Sequence, residues 1–204
     1  MISILNFGMG NIRSVQKALD YLGIESQVIK SEKQILESRK LIIPGVGSFR
    51  LAMENINNKK LFYPLNKVVL EKKIPTLGIC LGMQLMAEES EEDGVTQGFS
   101  WIKGKIKKFQ GEKFKIKVPH VGFNDVFFEK NNKKLYSGLG EKSHYYYVHS
   151  YRISYNECDC VSGWTMYGEK FVASIEKENI FGVQFHPEKS QSNGLIMLKN
   201  FAEL

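Results

Sequence analysis

The chain has 204 residues, of which 43% are hydrophobic and 12% aromatic, enough to bury a sizeable core and too apolar for a disordered segment. Lysine and arginine number 28 against 22 aspartates and glutamates, a net charge of +6 that a lysine-rich solvated surface explains without an acidic partner. The 3 cysteines cannot all pair, the start MISILNFG lacks the features of a secretory signal, and no run of about eighteen apolar residues occurs, so membrane roles drop out and a reduced, cytoplasmic protein is expected.

Short apolar runs alternate with amphipathic segments through Ser90, the signature of βα units on a mostly parallel sheet. ISIL leads into a helix with Ile12, Val15, Leu19 and Leu22 on one face, closed near Gly23. SQVI follows, then a short polar helix through Ile35 and Leu36, then the run LIIP that stops at Pro44. After PGVGSF the spacing predicts a helix from about Phe49, another through Leu65, Val68 and Val69, and a strand TLGI feeding a helix that starts near Leu81. From Ile102 onward lysine alternates with Ile106, Phe109, Phe114 and Ile116, which predicts a hairpin with one wet face, broken at Gly111. Strands continue through HYYYVHSYRIS, FVASIE and NIFGVQF, and a helix from about Asn193 to Phe201 closes the chain. With no repeat, linker or low-complexity tract, residues 1–204 read as one α/β domain, a mostly parallel sheet flanked by helices and extended by antiparallel strands.

Gly78-Ile79-Cys80-Leu81-Gly82 has the spacing of a nucleophile elbow with sulfur in place of the hydroxyl. A sharp strand-to-helix turn strains the central residue, and small neighbours let another backbone or a substrate come close. A thiol held there faces the N–H groups of a helix N-terminus, whose partial positive charge favours the thiolate. The Leu81 N–H is placed to hydrogen-bond a developing oxyanion, an interaction worth about 3 kcal/mol. Alone, the pentapeptide fits a small buried cysteine equally well.

A base has to come from elsewhere. Of the 4 histidines, only His186 ends a strong strand, FGVQF, and it is followed by Pro187 and Glu188. Residues i and i+2 of an extended segment share a side, so Glu188 can approach the imidazole. A proline turn with a surface carboxylate would also explain HPE. Taken with the elbow, it reads as a Cys-His-Glu relay in which His186 takes the thiol proton and later protonates the leaving group. Pro44-Gly45-Val46-Gly47 follows the LII strand at the same sheet edge, and its N–H groups could complete an oxyanion hole or simply form a βα loop.

Other features carry less. The lysines from Lys103 to Lys117 with YYYVHSY could suggest a nucleic-acid patch, but strand alternation explains them more simply and no nucleic-acid partner is expected. Cys158-Asp159-Cys160 lacks a second metal-spaced pair, so no metal is assigned, and no phosphate loop or dinucleotide fingerprint implies a cofactor. A cysteine peptidase, or a binding protein that has lost turnover, would fit the same elbow.

Together PGVGSF, GICLGMQL and FGVQFHPEKSQ resemble class I (triad) glutamine amidotransferases. GMGNIRSVQKAL, KVPHVGFN, YVHSY and GLIMLKNF extend the resemblance over nearly the whole chain to the glutaminase subunits of imidazole glycerol phosphate synthases, within that family. The resemblance implies that Cys80 attacks the side-chain amide of L-glutamine, with His186 and Glu188 completing the triad. It implies glutamine-holding positions at Gly47, Gln84, Glu92, Ser150 and Tyr151, and oxyanion donors at Leu81 and at Val46 or Gly47. It also implies a heterodimer with a (β/α)8 cyclase subunit that receives ammonia for histidine biosynthesis, facing Asn11, Pro119, His120, Phe123 and Asn124. Phe123 stands where the family usually carries tryptophan. Ammonia delivery for amidination of a surface sugar, with a cyclase-like partner, is the alternative acceptor reading.

Overall fold

The computed structural model describes residues 1–129 and 134–204. The first half follows the expected alternation. β1 (Ile2–Leu5) is buried throughout, and α1 (Ile12–Tyr21) turns Val15, Ala18 and Leu19 inward. β2 (Ser26–Ile29) leads to α2 (Glu32–Leu36), which opens with a capping box: the Ser31 hydroxyl accepts from the Gln34 N–H, and the Gln34 side-chain oxygen accepts from the Ser31 N–H. β3 (Leu41–Gly45), α3 (Phe49–Asn58), α4 (Phe62–Asn66) with a π-helical continuation (Lys67–Glu71), and β4 (Thr76–Cys80) complete the series. α5 (Leu81–Gln84) begins at the residue after Cys80.

The second half is built mainly of strands: β5 (Glu89–Ser90), β6 (Thr96–Gln97) and β7 (Lys105–Lys108), then a helical turn α6 (Gly111–Phe114). β8 (His120–Phe128), β9 (Lys142–His149), β10 (Tyr151–Ile153), β11 (Val161–Tyr167), β12 (Glu169–Lys177) and β13 (Ile180–Val183) precede the closing helix α7 (Gln191–Glu203). The main sheet has the order β2-β1-β3-β4-β13-β12-β11-β8-β9. Its first five strands are parallel, and β12, β11, β8 and β9 extend it antiparallel. A smaller sheet has the order β10-β7-β5-β6.

Alternation along the parallel strands divides the core between the two faces. Leu41 and Ile43 pack with Phe49, Met53, Ile56 and Leu65 on one side, while Ile42 packs with Val15, Leu19, Leu198 and Phe201 on the other. Each such side chain, fully buried, contributes about 1.5–3 kcal/mol. A covered sheet whose strand ends converge on one edge is the platform that holds the loops after β3, β4 and β13 together.

The hairpin expected at Gly111 does not form. β7 does alternate, with Ile106 buried and Lys105 and Lys108 exposed, but its partners are β10 and β5, and Ile106 lies opposite Ile153. The pairing segment comes from far along the chain, and the residues around Gly111 coil into α6 with none of them buried. Among the described residues, no helix is long and apolar enough to cross a membrane.

Candidate active site

Cys80 adopts φ +53° and ψ −109°, a conformation that costs an L-residue of the order of 1–3 kcal/mol and persists only where the surroundings enforce it. They do so by close packing. A Cβ added to Gly82 would overlap the carbonyl oxygen of Ile43, and one on Gly78 would come within 2.6 Å of the Gly82 carbonyl oxygen. The elbow is therefore pressed against β3, with the sulfur held at the carboxyl edge of the sheet.

β13 runs parallel beside β4 with Val183 opposite Ile79, so the next residue, Gln184, comes level with Cys80. His186 lies two residues further along the same side. Its N–H donates to the Tyr146 carbonyl at 2.8 Å, and the Ser190 hydroxyl donates to its carbonyl at 2.6 Å, which fix the backbone. Nδ1 lies 2.8 Å from Glu188 Oε1, with both side chains 1% exposed, and Asn11 Nδ2 donates to the same oxygen at 3.3 Å. The carboxylate accepts, so Nδ1 carries a proton. Nε2 is enclosed with no hydrogen-bond partner of its own, and Cys80 is the group besides Glu188 that acts on the ring. Burial alone would push this imidazole down; hydrogen bonding and charge from Cys80 and Glu188 more than reverse that, so its pKa is raised.

A cavity of about 480 Å³ opens at the sulfur. Its wall includes Val46, Gly47, Leu81, Gln84, Glu92, Ser150 and Tyr151, the residues expected around glutamine and its oxyanion. Gly47 has φ +103°, a conformation open to glycine and costly for other residues, so the loop after β3 can present its N–H groups inward. Glu92 Oε2 accepts from the Phe49 N–H at 2.7 Å, tying the cavity rim to the first residue of α3. Burial and the nearby carboxylates of Glu92 and Asp93 raise the Tyr151 hydroxyl, keeping it a donor. Gln84 Nε2 donates to the Tyr151 carbonyl at 3.0 Å and to Gln184 Oε1 at 3.1 Å.

A strained cysteine and a glycine-rich loop lining one cavity, with a buried His-Glu pair acting on that cysteine, suit acyl transfer from a small amide. The family model for class-I glutamine amidotransferases matches residues 3–203. The chain belongs to the class I glutamine amidotransferases. Over 204 residues, all of both chains, this amidotransferase is 43% identical to imidazole glycerol phosphate synthase subunit HisH 1 of Campylobacter jejuni subsp. jejuni serotype O:23/36 (strain 81-176). It is 45% identical over 203 residues to subunit HisH of Moorella thermoacetica (strain ATCC 39073 / JCM 9320), covering 100% of this chain and 94% of that one. A crystal structure of a glutamine amidotransferase superposes with TM-score 0.76 at 17% identity, over 99% of this chain and 97% of that one, a likeness of fold.

Two positions expected at a partner face have their side chains engaged within the fold. His120 is only 3% exposed, because residues on its strand alternate and its ring turns inward to stack on Tyr147 and Tyr167. Asn11 turns its amide to the Glu188 carboxylate. Phe123 is exposed, Asn124 is half-buried, and Pro119 lies at the cavity wall. The sequence reading missed Ser48, Val148 and His149 at the cavity, and Gln184 beneath it. The order Q-x-H-x-E, with alternate residues on one side, was the available signal for Gln184. The ligand atoms of Cys158, Asp159 and Cys160 lie within 4.8 Å of one another, and none of these residues lines the cavity.

Proposed function

We propose that this amidotransferase is the glutaminase subunit of an imidazole glycerol phosphate synthase, hydrolysing L-glutamine at Cys80 and delivering ammonia to a cyclase subunit. The observation that carries the chemistry is the elbow cysteine on the cavity wall, acting with the buried His186–Glu188 pair. Nε2 of His186 takes the thiol proton as the sulfur attacks the side-chain carbonyl carbon. The tetrahedral oxyanion meets the Leu81 N–H and an N–H of Val46 or Gly47. His186 then gives its proton to the departing nitrogen, ammonia leaves, and a glutamyl thioester remains. Water, deprotonated by the same imidazole, attacks the thioester, and glutamate departs as the thiol is restored.

Ammonia released into neutral water becomes ammonium, which has no lone pair to attack with, so a covered route to the acceptor is required. Val121, Phe123 and Val148 expose apolar surface on β8 and β9, with Val148 and Pro119 also forming the cavity wall. An exposed apolar patch beside a reactive mouth suits a docked partner, and we assign it to a (β/α)8 cyclase in a heterodimer. The curated relatives named above are subunits of imidazole glycerol phosphate synthases, which favours that acceptor over a surface sugar. We assign the reaction to the cytoplasm, where unpaired cysteines stay reduced.

Glutamate release should be measured with and without a co-expressed cyclase and its nucleotide substrate. Stimulation by the occupied cyclase is expected. Equal release in both conditions would overturn the assignment of acceptor, and no release that depends on Cys80 would overturn the chemistry.

A further inference from the structure

Gln184 is fully buried, and its side chain touches the nucleophile: Nε2 lies 3.7 Å from Cys80 Sγ. Which end of this amide faces the sulfur is determined by a backbone group two links away. The Tyr151 carbonyl can only accept, so the atom of Gln84 bonded to it is the amide nitrogen. The same nitrogen donates to Gln184, whose oxygen must therefore face Gln84. The Gln184 N–H is left pointing at the sulfur.

We propose that Gln184 is a positioning residue for the nucleophile, donating a hydrogen bond that holds the sulfur at the cavity and strengthens as negative charge develops on it. This deepens the glutaminase reading and rests on it. His186 and Gln184 approach the sulfur from the same strand end, one as proton acceptor and the other as a fixed dipole. A hydrogen bond to an anionic acceptor is roughly twice as strong as one to a neutral acceptor. The donor therefore assists twice, when the thiol loses its proton and when sulfur leaves the thioester, without itself gaining or losing a proton.

The diagnostic pair is Gln184→Glu, which keeps the shape and the oxygen facing Gln84 but removes the amide donor to sulfur, and Gln184→Met, which holds no donor even when a buried carboxyl would take up a proton. Two readings are taken: kcat and KM for glutamine, and the rate of Cys80 alkylation by iodoacetamide from pH 6 to pH 9. The expected result is a fall in kcat of about tenfold or more with KM within about twofold, and neutral-pH alkylation slowed by a similar factor. Gln184→Met, neutral and close in volume, carries the same readings should the buried carboxylate prevent folding. Wild-type alkylation across the whole pH range in a folded variant overturns the proposal, as does a change confined to KM or to thermal stability. If the unaltered protein alkylates at Cys80 but releases no glutamate, the glutaminase reading fails, and the alkylation profile still decides the role of Gln184.

Discussion

Nδ1 of His120 lies 3.1 Å from Nε2 of His149, across the register that pairs β8 with β9, and the bond between them runs in one direction. His149 Nδ1 meets the Tyr151 carbonyl at 2.8 Å and must donate to it, so its Nε2 accepts and His120 Nδ1 donates. His120 Nε2 is then an acceptor, and Asn124 Nδ2 lies 3.2 Å away to supply the proton. Both rings are neutral. Together they and Gln84 fix the carbonyl of a cavity residue, Tyr151, from two sides.

This neutral pair predicts acid sensitivity. Burial holds His120 down to about 4. Burial, opposed by the Tyr151 carbonyl and reinforced by the charges of His120, His186 and Arg152, holds His149 down to about 3. Both values lie below the ordinary 6.5, so between these limits the unfolded chain binds more protons than the folded one. The stability the pair contributes is present above about pH 6.5 and is lost as pH falls through about 4 and then about 3. Calorimetric melting temperatures should drop across that window. The double variant His120→Asn, His149→Asn should melt lower at pH 7 and show a shallower acid slope; an unchanged slope would show that carboxylates alone set it.

Glu188→Gln should leave the fold intact and lower kcat by about three to four orders of magnitude, with KM little changed, because an amide no longer fixes the tautomer or stabilises the imidazolium. Asn11→Ala removes the second bond to the same carboxylate oxygen, together with the bond its own oxygen accepts from the Ser14 hydroxyl, and should cost about tenfold. Steady-state kinetics checked against circular dichroism tests the pair. An equal loss in both variants would mean that the carboxylate acts through packing rather than through its charge.

Gly82→Ala should prevent recovery of folded protein or cost more than about 3 kcal/mol, since the added methyl meets the Ile43 carbonyl, a backbone group that cannot rotate aside. Gly23→Ala is the control. Its φ of +69° is strained for alanine, but nothing lies within 4 Å, so about 1–2 kcal/mol is expected. Denaturant titration separates the two, and similar costs would show that conformation rather than crowding explains the elbow glycine.

The candidate site was legible because its physics is local. The G-x-C-x-G spacing implies a crowded turn, and the two-residue step from His186 to Glu188 puts their side chains on one side of an extended segment. The parallel half was legible for the same reason, since apolar runs alternate there with helices carrying one inward stripe. Whatever depended on distant partners was hidden. Lysine alternation around Ile106 is genuine, but its pairing with Ile153 joins segments that no local rule connects. VSGWTMY forms β11 although its register shifts around Gly163 blur any alternation. His120, which the resemblance placed at a partner face, is turned inward by neighbours on β9 that no local pattern names, and Gln184 is one more residue of a strong strand until Cys80 is set beside it.

Glu92 offers a test of substrate recognition. One carboxylate oxygen is held by the Phe49 N–H at 2.7 Å, at the positive end of α3, and its own backbone N–H donates to the Ser90 hydroxyl at 3.1 Å. The side chain thus belongs to the same cavity wall as the loop that carries Gly47. A glutamine whose amide enters toward Cys80 brings its α-ammonium group to the rim, where a fixed negative charge favours it. Glu92→Gln keeps an oxygen for the Phe49 N–H but removes that charge, and should raise KM by about tenfold or more with a smaller change in kcat. Glu92→Ala also frees the start of α3, so kcat should fall as well, because the glycine loop loses its anchor. Glutamine titrations of the two variants distinguish the effects. A KM unchanged in Glu92→Gln would place ammonium recognition on other groups and leave Glu92 the single task of holding α3.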